Sequence, residues 1–346
     1  STKHYIPPVV ADDNSEISDQ YIYISTPRNN DVSFTITPIG DPTNVYSGLV
    51  SNANPFVYRV VLDGEDPADP GAALDRDGDT QFAITAITPG TNLFLNTVLN
   101  DRGYIIEAND VIYVSVRFRA PLPLQFHAGA LVSKGLSGLG TEFRVGGFAQ
   151  EQDNNIGGYL TFCSVMATEN NTNVTFSDFP AGISIINHTG SGDITATLNE
   201  GETYIIAVAT GSDTGNPNDL IGSLVTSDKP IVVNSGSATG SSANSLTAGG
   251  RDYGVDQIVD FSKVGNEYIF VRGNGGGDGI ANGDDGDRWE NILLVAHEDN
   301  TEVFVNGNST IEATLNAGEW VVIEGDGINQ NGNGYSTDGN MYVQTS

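Results

Sequence analysis

Three stretches of this sequence read alike, and nothing else in it constrains the fold as much. Gly140-Thr141-Glu142-Phe143-Arg144-Val145 parallels Gly265-Asn266-Glu267-Tyr268-Ile269-Phe270. Further on, Ser164-Val165-Met166-Ala167-Thr168-Glu169-Asn170-Asn171-Thr172-Asn173-Val174 parallels Leu294-Val295-Ala296-His297-Glu298-Asp299-Asn300-Thr301-Glu302-Val303, and Thr197-Leu198-Asn199-Glu200-Gly201-Glu202 parallels Thr314-Leu315-Asn316-Ala317-Gly318-Glu319. An eroded first copy starts at Lys3-His4-Tyr5-Ile6, and Gly103 to Val114 matches Gly222 to Val233. Taking Val32, Val174 and Val303 as equivalents gives a long, loose period with insertions in the loops. Such self-similarity means that one supersecondary unit is used repeatedly.

The unit is made of β-strands. Short runs alternate in hydrophobicity and end at turn formers such as Glu169-Asn170-Asn171-Thr172 and Ser227-Asp228-Lys229-Pro230, the pattern of antiparallel hairpins. In the second copy the runs are 142–146, 159–167, 173–176, 194–198, 203–208, 223–226 and 231–234. The fold class is therefore all-β, with tandem repeats over 1–139, 140–264 and 265–346, the last cut short, or with the three forming one continuous repeat domain. Two architectures fit seven or eight strands per copy: a β-propeller with two blades per copy, or tandem β-sandwiches. The absence of Pro/Ser-rich linkers between copies favours propeller closure. Strand interiors name the core: Ile22, Ile24, Phe34, Val114, Val116, Phe162, Val174, Ile205, Val232, Val233, Ile269, Leu294, Val303 and Val321. Because the third copy stops mid-hairpin at Gln344-Thr345-Ser346, the chain is expected to be part of a larger parent chain.

Charge narrows the partners. Lys+Arg 14 against Asp+Glu 44 leaves a formal net charge of -30, a field that repels nucleic acid and anionic lipid and attracts divalent cations. No run has the length and apolarity of a membrane-spanning helix, so direct membrane insertion is not expected. The one cysteine, Cys163, lies in the apolar run Tyr159 to Val165 and reads as a buried, inert thiol.

At the repeated motifs the chain resembles a known family. Gly265 to Ile269, Val295-Ala296-His297-Glu298-Asp299-Asn300-Thr301, Leu315-Asn316-Ala317-Gly318-Glu319 and Ser227-Asp228-Lys229-Pro230-Ile231-Val232-Val233-Asn234-Ser235-Gly236 are similar to the IgGFc-binding protein N-terminal domain family, and Gly250 to Gln257 resembles its Bacteroidota branch. The resemblance implies an extracellular or cell-surface module of adhesin-like chains exported by the type 9 system of gliding bacteria. It does not carry immunoglobulin binding to any motif here.

Two acidic tracts have the chemistry of Ca²⁺ ligation. Asp75, Asp77 and Asp79 alternate around Gly78, and Asp278, Asn282, Asp284, Asp285 and Asp287 crowd a Gly-rich stretch; both offer the hard oxygens Ca²⁺ requires. Equally, either tract reads as a solvated acidic loop, since the first departs from EF-hand spacing and the second has the composition of a surface insertion. The acidic stretches 12–16, 150–155 and 274–287 occupy equivalent places in the copies and would gather on one face if the copies close around an axis.

Catalytic patterns are poor. His4, His127, His188 and His297 are scattered singly, and no Gly-x-Ser-x-Gly elbow occurs. Glu142, Glu202, Glu267 and Glu319 read as caps of backbone N–H groups beside turns. The expected function is a non-enzymatic binding or display module that recognises glycan or protein at a cell or host surface through loops on a rigid scaffold. The alternative is a secreted carbohydrate-active enzyme of propeller type, its carboxylates converging on a central channel.

Overall fold

The computed structural model describes residues 1–12, 17, 19–41, 43–61, 83–86, 94–119, 128–147, 159–190, 192–210, 220–240, 252–272, 291–325, 334–336 and 339–346. The first segment contributes β1 (Lys3–Ile6), β2 (Val9–Asp12), β3 (Asp19–Ser25), β4 (Val32–Pro38), β5 (Tyr46–Val50), β6 (Phe56–Val61), β7 (Ala83–Ala86), β8 (Val98–Leu99), β9 (Tyr104–Ala108), β10 (Tyr113–Arg119) and β11 (Ala128–Ser133). The second gives β12 (Gly140–Arg144), β13 (Tyr159–Ala167), β14 (Thr172–Ser177), β15 (Ile194–Leu198), β16 (Thr203–Thr210), β17 (Leu224–Gly240) and β18 (Asp252–Ile258). The third gives β19 (Glu267–Val271), β20 (Ile292–Val295), β21 (Thr301–Val305), β22 (Ala313–Leu315), β23 (Trp320–Ile323) and β24 (Asn340–Thr345). Among the described residues the fold is all-β, with only 3₁₀ turns at Gly135–Gly138 and Phe261–Lys263.

Strand order is the informative part. The first segment forms one sheet in the order β1-β9-β4-β5 and another in the order β11-β10-β3-β6. Their inward residues, Phe34, Ile36 and Ile106 from one and Ile22, Ile24, Val114 and Val116 from the other, share a single core. In the second segment β17 runs for 17 residues through both layers. Its first part pairs with β12 and β14, its second part with β13 and β18, so all the strands there join one eight-stranded sheet together with β8. The third segment has the order β19-β24-β21-β22 beside a two-stranded β20-β23 sheet. The two sheets of the first segment face each other across one core, and among the described residues no closed propeller is seen.

Pairing also corrects the alignment. Phe34 lies opposite Gly48 and Ala108, Val174 opposite Ala196 and Ser227, and Val303 opposite Ala313 and Thr345. Register thus matches Phe34 with Val174 and Val303, while Val32 stands with Thr172 and Thr301. The slip of two residues keeps the same strand face, which is why alternation alone could not detect it. Two other expectations change. Ser227 to Pro230 is no turn: Asp228 accepts the Asn173 N–H at 2.8 Å and its side-chain amide at 2.7 Å, and the strand continues through a bulge where β12 shifts register. Ile269 is not core but 74% exposed, because Tyr268 and Phe270 take the inward phase of β19.

Turn chemistry accounts for the repeated polar motifs. Asn171 and Asn300 have φ of 55° and 61°, the left-handed conformation asparagine tolerates. Thr172 Oγ1 donates to the Glu169 carbonyl at 2.7 Å, and Thr301 Oγ1 to that of Glu298 at 2.8 Å. The Glu202 and Glu319 carboxylates each accept a backbone N–H, from Asn199 and Asn316, at 2.7 Å. These two are caps as expected, whereas Glu142 is engaged elsewhere. Cys163 is fully buried and burial pushes its thiol far up.

A buried polar chain ties the first segment to the second. His4 Nε2 faces the Ile112 carbonyl at 3.2 Å and Nδ1 faces Ser133 Oγ at 3.0 Å. Gln257 accepts from the Lys134 N–H at 2.7 Å and donates to the Tyr5 carbonyl at 3.1 Å, and Asn234 donates to the Pro7 carbonyl at 2.9 Å. Burial lowers His4 to about 4 from 6.5. The unfolded chain takes up a proton below pH 6.5 that the folded chain refuses until about pH 4, so stability is present above 6.5 and is lost as pH falls. Chemical denaturation at pH 7 and pH 5 should differ by about 2 kcal/mol from this group. His4→Asn should remove that share of the slope.

Candidate functional site

A cleft of about 700 Å³ opens between the second and third segments. One wall is the segment after β18 and the other is the third segment. Ile258, Phe261, Tyr268, Phe270, Leu294 and Val303 supply apolar surface, Lys134, Arg144 and Asp256 supply charge, and His297 supplies an imidazole.

The wall after β18 is held by one carboxylate. Asp260 accepts the N–H of Thr141 at 2.7 Å, of Glu142 at 3.0 Å and of Ser262 at 2.9 Å, and also the Ser262 hydroxyl. Burial pushes its pKa up, but the Ser262 hydroxyl and the three N–H groups outweigh that and hold it below the usual carboxylate range. Gly140 is required beside it, since a Cβ there would stand 2.1 Å from the Asp260 Cβ. Lys263 donates to the carbonyls of Ser137 and Leu139 and fastens the same strap to the start of β12.

Charged groups converge at the rim from distant parts of the chain. His297 lies flat on Phe261 with ring centroids 3.6 Å apart and planes at 20°. Its Nε2 is 3.2 Å from Glu142 Oε1, and its Nδ1 is buried with no hydrogen-bond partner among the described residues. Arg144 donates to Asp178 at 2.8 Å and to the Gly222 carbonyl at 3.0 Å. Lys134 pairs with Asp256 at 2.8 Å. Such an arrangement orders a surface; it places no nucleophile beside a base.

β20 forms part of the cleft wall. In the first segment β3 lies between β10 and β6, and in the second β13 lies between β17 and β16. Among the described residues β20 has one neighbour, β23. Ala296 directs both its N–H and its C=O toward the β22–β23 connection, to Glu319 and Gly318. Antiparallel alternation then turns the peptide groups of Leu293 and Val295 toward the side of β20 away from β23.

Asp75, Asp77, Asp79, Asp278, Asn282, Asp284, Asp285 and Asp287 all lie outside the described residues, as does His127. Among the described residues no three His, Cys, Asp or Glu side chains stand close enough to hold a metal ion, and His4, His188 and His297 remain separate. Sequence reading placed His297 and Glu142 in repeated motifs but could not pair them, because the contact joins different segments. No α-helix of the described residues is long and apolar enough to cross a membrane.

No curated protein and no solved structure matches the chain. The model of the IgGFc binding protein family matches residues 129–346. That span begins in β11, takes in every residue of the cleft and covers more than half of the sequence, so the chain belongs to the IgGFc binding protein family.

Proposed function

We propose that this chain is a non-enzymatic, secreted or surface-displayed binding module built from three copies of one sandwich plan, and that it takes up a protein ligand on the cleft between the segment after β18 and the third segment. The observation that carries the reading is that cleft, with an apolar floor of Ile258, Phe261, Tyr268, Phe270 and Leu294 and charged side chains beside it, the composition of a recognition surface. Family membership supports a protein ligand, and the acidic surface suits an extracellular setting. An adhesin of the bacterial surface branch is the parent this reading expects.

Immunoglobulin Fc, a protein array and a glycan array are the probes. Binding of a protein should saturate and should be lost in Leu294→Asp, whereas Val132→Asp, an exposed position away from the cleft, should bind as before. Protein binding that Leu294→Asp leaves unchanged would remove the cleft from the proposal, and turnover of a saccharide would favour an enzyme instead.

We also propose Ca²⁺ at Asp75, Asp77 and Asp79, with 278–287 as the second tract. Their support is the oxygen-rich spacing together with the net charge of -30. Ca²⁺ at about a hundred times its Kd adds roughly 2.7 kcal/mol when it binds only the folded chain. The melting point should therefore rise in excess Ca²⁺ over EDTA and should not rise in Asp77→Ala. Equal melting points in Ca²⁺ and EDTA would return these loops to solvated surface.

A further inference from the structure

His297 is clasped by two groups that a single carboxylate puts in place. Its ring lies on Phe261, and its Nε2 faces the Glu142 carboxylate at 3.2 Å. Phe261 follows Asp260 directly in the chain, and the Glu142 N–H donates to Asp260 Oδ2 at 3.0 Å. Both halves of the clasp therefore hang on Asp260.

Both oxygens of that carboxylate are in use. Oδ2 accepts the N–H groups of Thr141 and Glu142, and Oδ1 accepts the N–H and the hydroxyl of Ser262. Bonds to an ionised acceptor are roughly twice as strong as neutral ones, and Asp260 is only 6% exposed, so water competes little for them.

The far end of the strap is fastened as well. Lys263 donates to the carbonyls of Ser137 and Leu139, which belong to the 3₁₀ turn Gly135–Gly138 and its C-cap, on the connection from the first segment to the second. The strap that leads into the third segment is thus tied to the strap that leads into the second. Segments of one chain ordinarily move relative to one another unless something fixes them. Every group that the Asp260 and Lys263 side chains hold lies within residues 137–262, so the latch is complete in itself.

We propose that Asp260 is a positioning residue that latches the second and third segments at one angle, so that the cleft stands in its binding geometry before a ligand arrives. The inference rests on the reading of that cleft as the binding site. A site preorganised in this way loses no affinity to ordering its own walls, and a protein ligand meets it as a rigid body.

Distances between spin labels on Thr195→Cys and Thr314→Cys, exposed positions on β15 and β22, test the latch on the whole chain. Cys163 is fully buried and stays unlabelled. Asp260→Asn keeps the shape of the side chain but puts an amide nitrogen, which cannot accept a hydrogen bond, in place of one oxygen. The native latch should give one narrow distance distribution, and Asp260→Asn should broaden it severalfold while amide exchange in 162–167 stays as it was. An unchanged narrow distribution in Asp260→Asn would overturn the latch. Exchange in 162–167 that rises together with the broadening would also overturn it, because Asp260 would then support the fold of the second segment and not its angle to the third. The cleft reading fails separately: a broadened distribution, with protein binding that Leu294→Asp leaves unchanged, would keep the latch and remove the site it is proposed to hold open.

Discussion

Phe162→Ala should cost about 3–5 kcal/mol, the range for removing a buried aromatic ring, measured as a lower midpoint in urea at unchanged slope. Phe162 lies on β13 opposite Ala207 of β16 and Gly236 of β17 and is fully buried. Its strand has two inward faces. Cys163, Val165 and Ala167 belong to the core of the second segment, whereas Phe162, Ile205 and Ala207 belong to a core shared with Leu95, Leu99 and the sheets of the first segment. Neither Ala207 nor Gly236 has the bulk to collapse into the space a lost ring would leave. The ring therefore contributes to joining the segments as well as to a single sheet. Phe162→Leu keeps most of the volume and should lose less than about 1.5 kcal/mol. A loss under about 1 kcal/mol for the alanine variant would mean that the two segments do not share this core.

That dual role marks the limit of what alternation in the sequence could reveal. Strand class, turn positions and most of the core were legible, because Asn171, Asn300, Gly201 and Gly318 sit at left-handed φ that few other residues adopt, and because period-two runs leave little choice of secondary structure. Phase and continuity were less legible. Ile269 was placed inside because its run, Tyr268-Ile269-Phe270-Val271, is apolar throughout, and only the partner strand decides which alternate residues face inward. Pro230 was read as the end of a hairpin, although a proline where the chain crosses between layers costs the sheet no ladder bond. The cleft was not legible at all. Phe261, His297 and Glu142 are brought together by the seating of one segment on the next, and no spacing within a segment encodes that. The acidic tracts show the converse: their chemistry is plain in the sequence, while the geometry that would test it lies outside the described residues.

The seating itself can be broken at one atom. Gly222 has φ of +91°, and a Cβ there would stand 1.9 Å from the Gly318 carbonyl oxygen and 2.9 Å from its carbon. Both obstacles are backbone, so no rotamer change relieves them and one segment must move off the other. Two costs are then expected for Gly222→Ala: the left-handed backbone, about 1–2 kcal/mol for a residue with a Cβ, and the displaced joint with its Glu142–His297 and Arg144 contacts. The total should be roughly 3 kcal/mol or more. Gly182 separates the two, because it has φ of +87° with nothing within 4 Å of a built Cβ. Gly182→Ala should show the backbone cost alone. The excess for Gly222→Ala measures the joint, and it should be accompanied by a separate, earlier melting of the third segment, seen as faster amide exchange in 301–305 and 340–345 with 162–167 unaffected. If the two alanine variants lose the same stability and exchange alike, the third segment is not held to the second through Gly222 and Gly318.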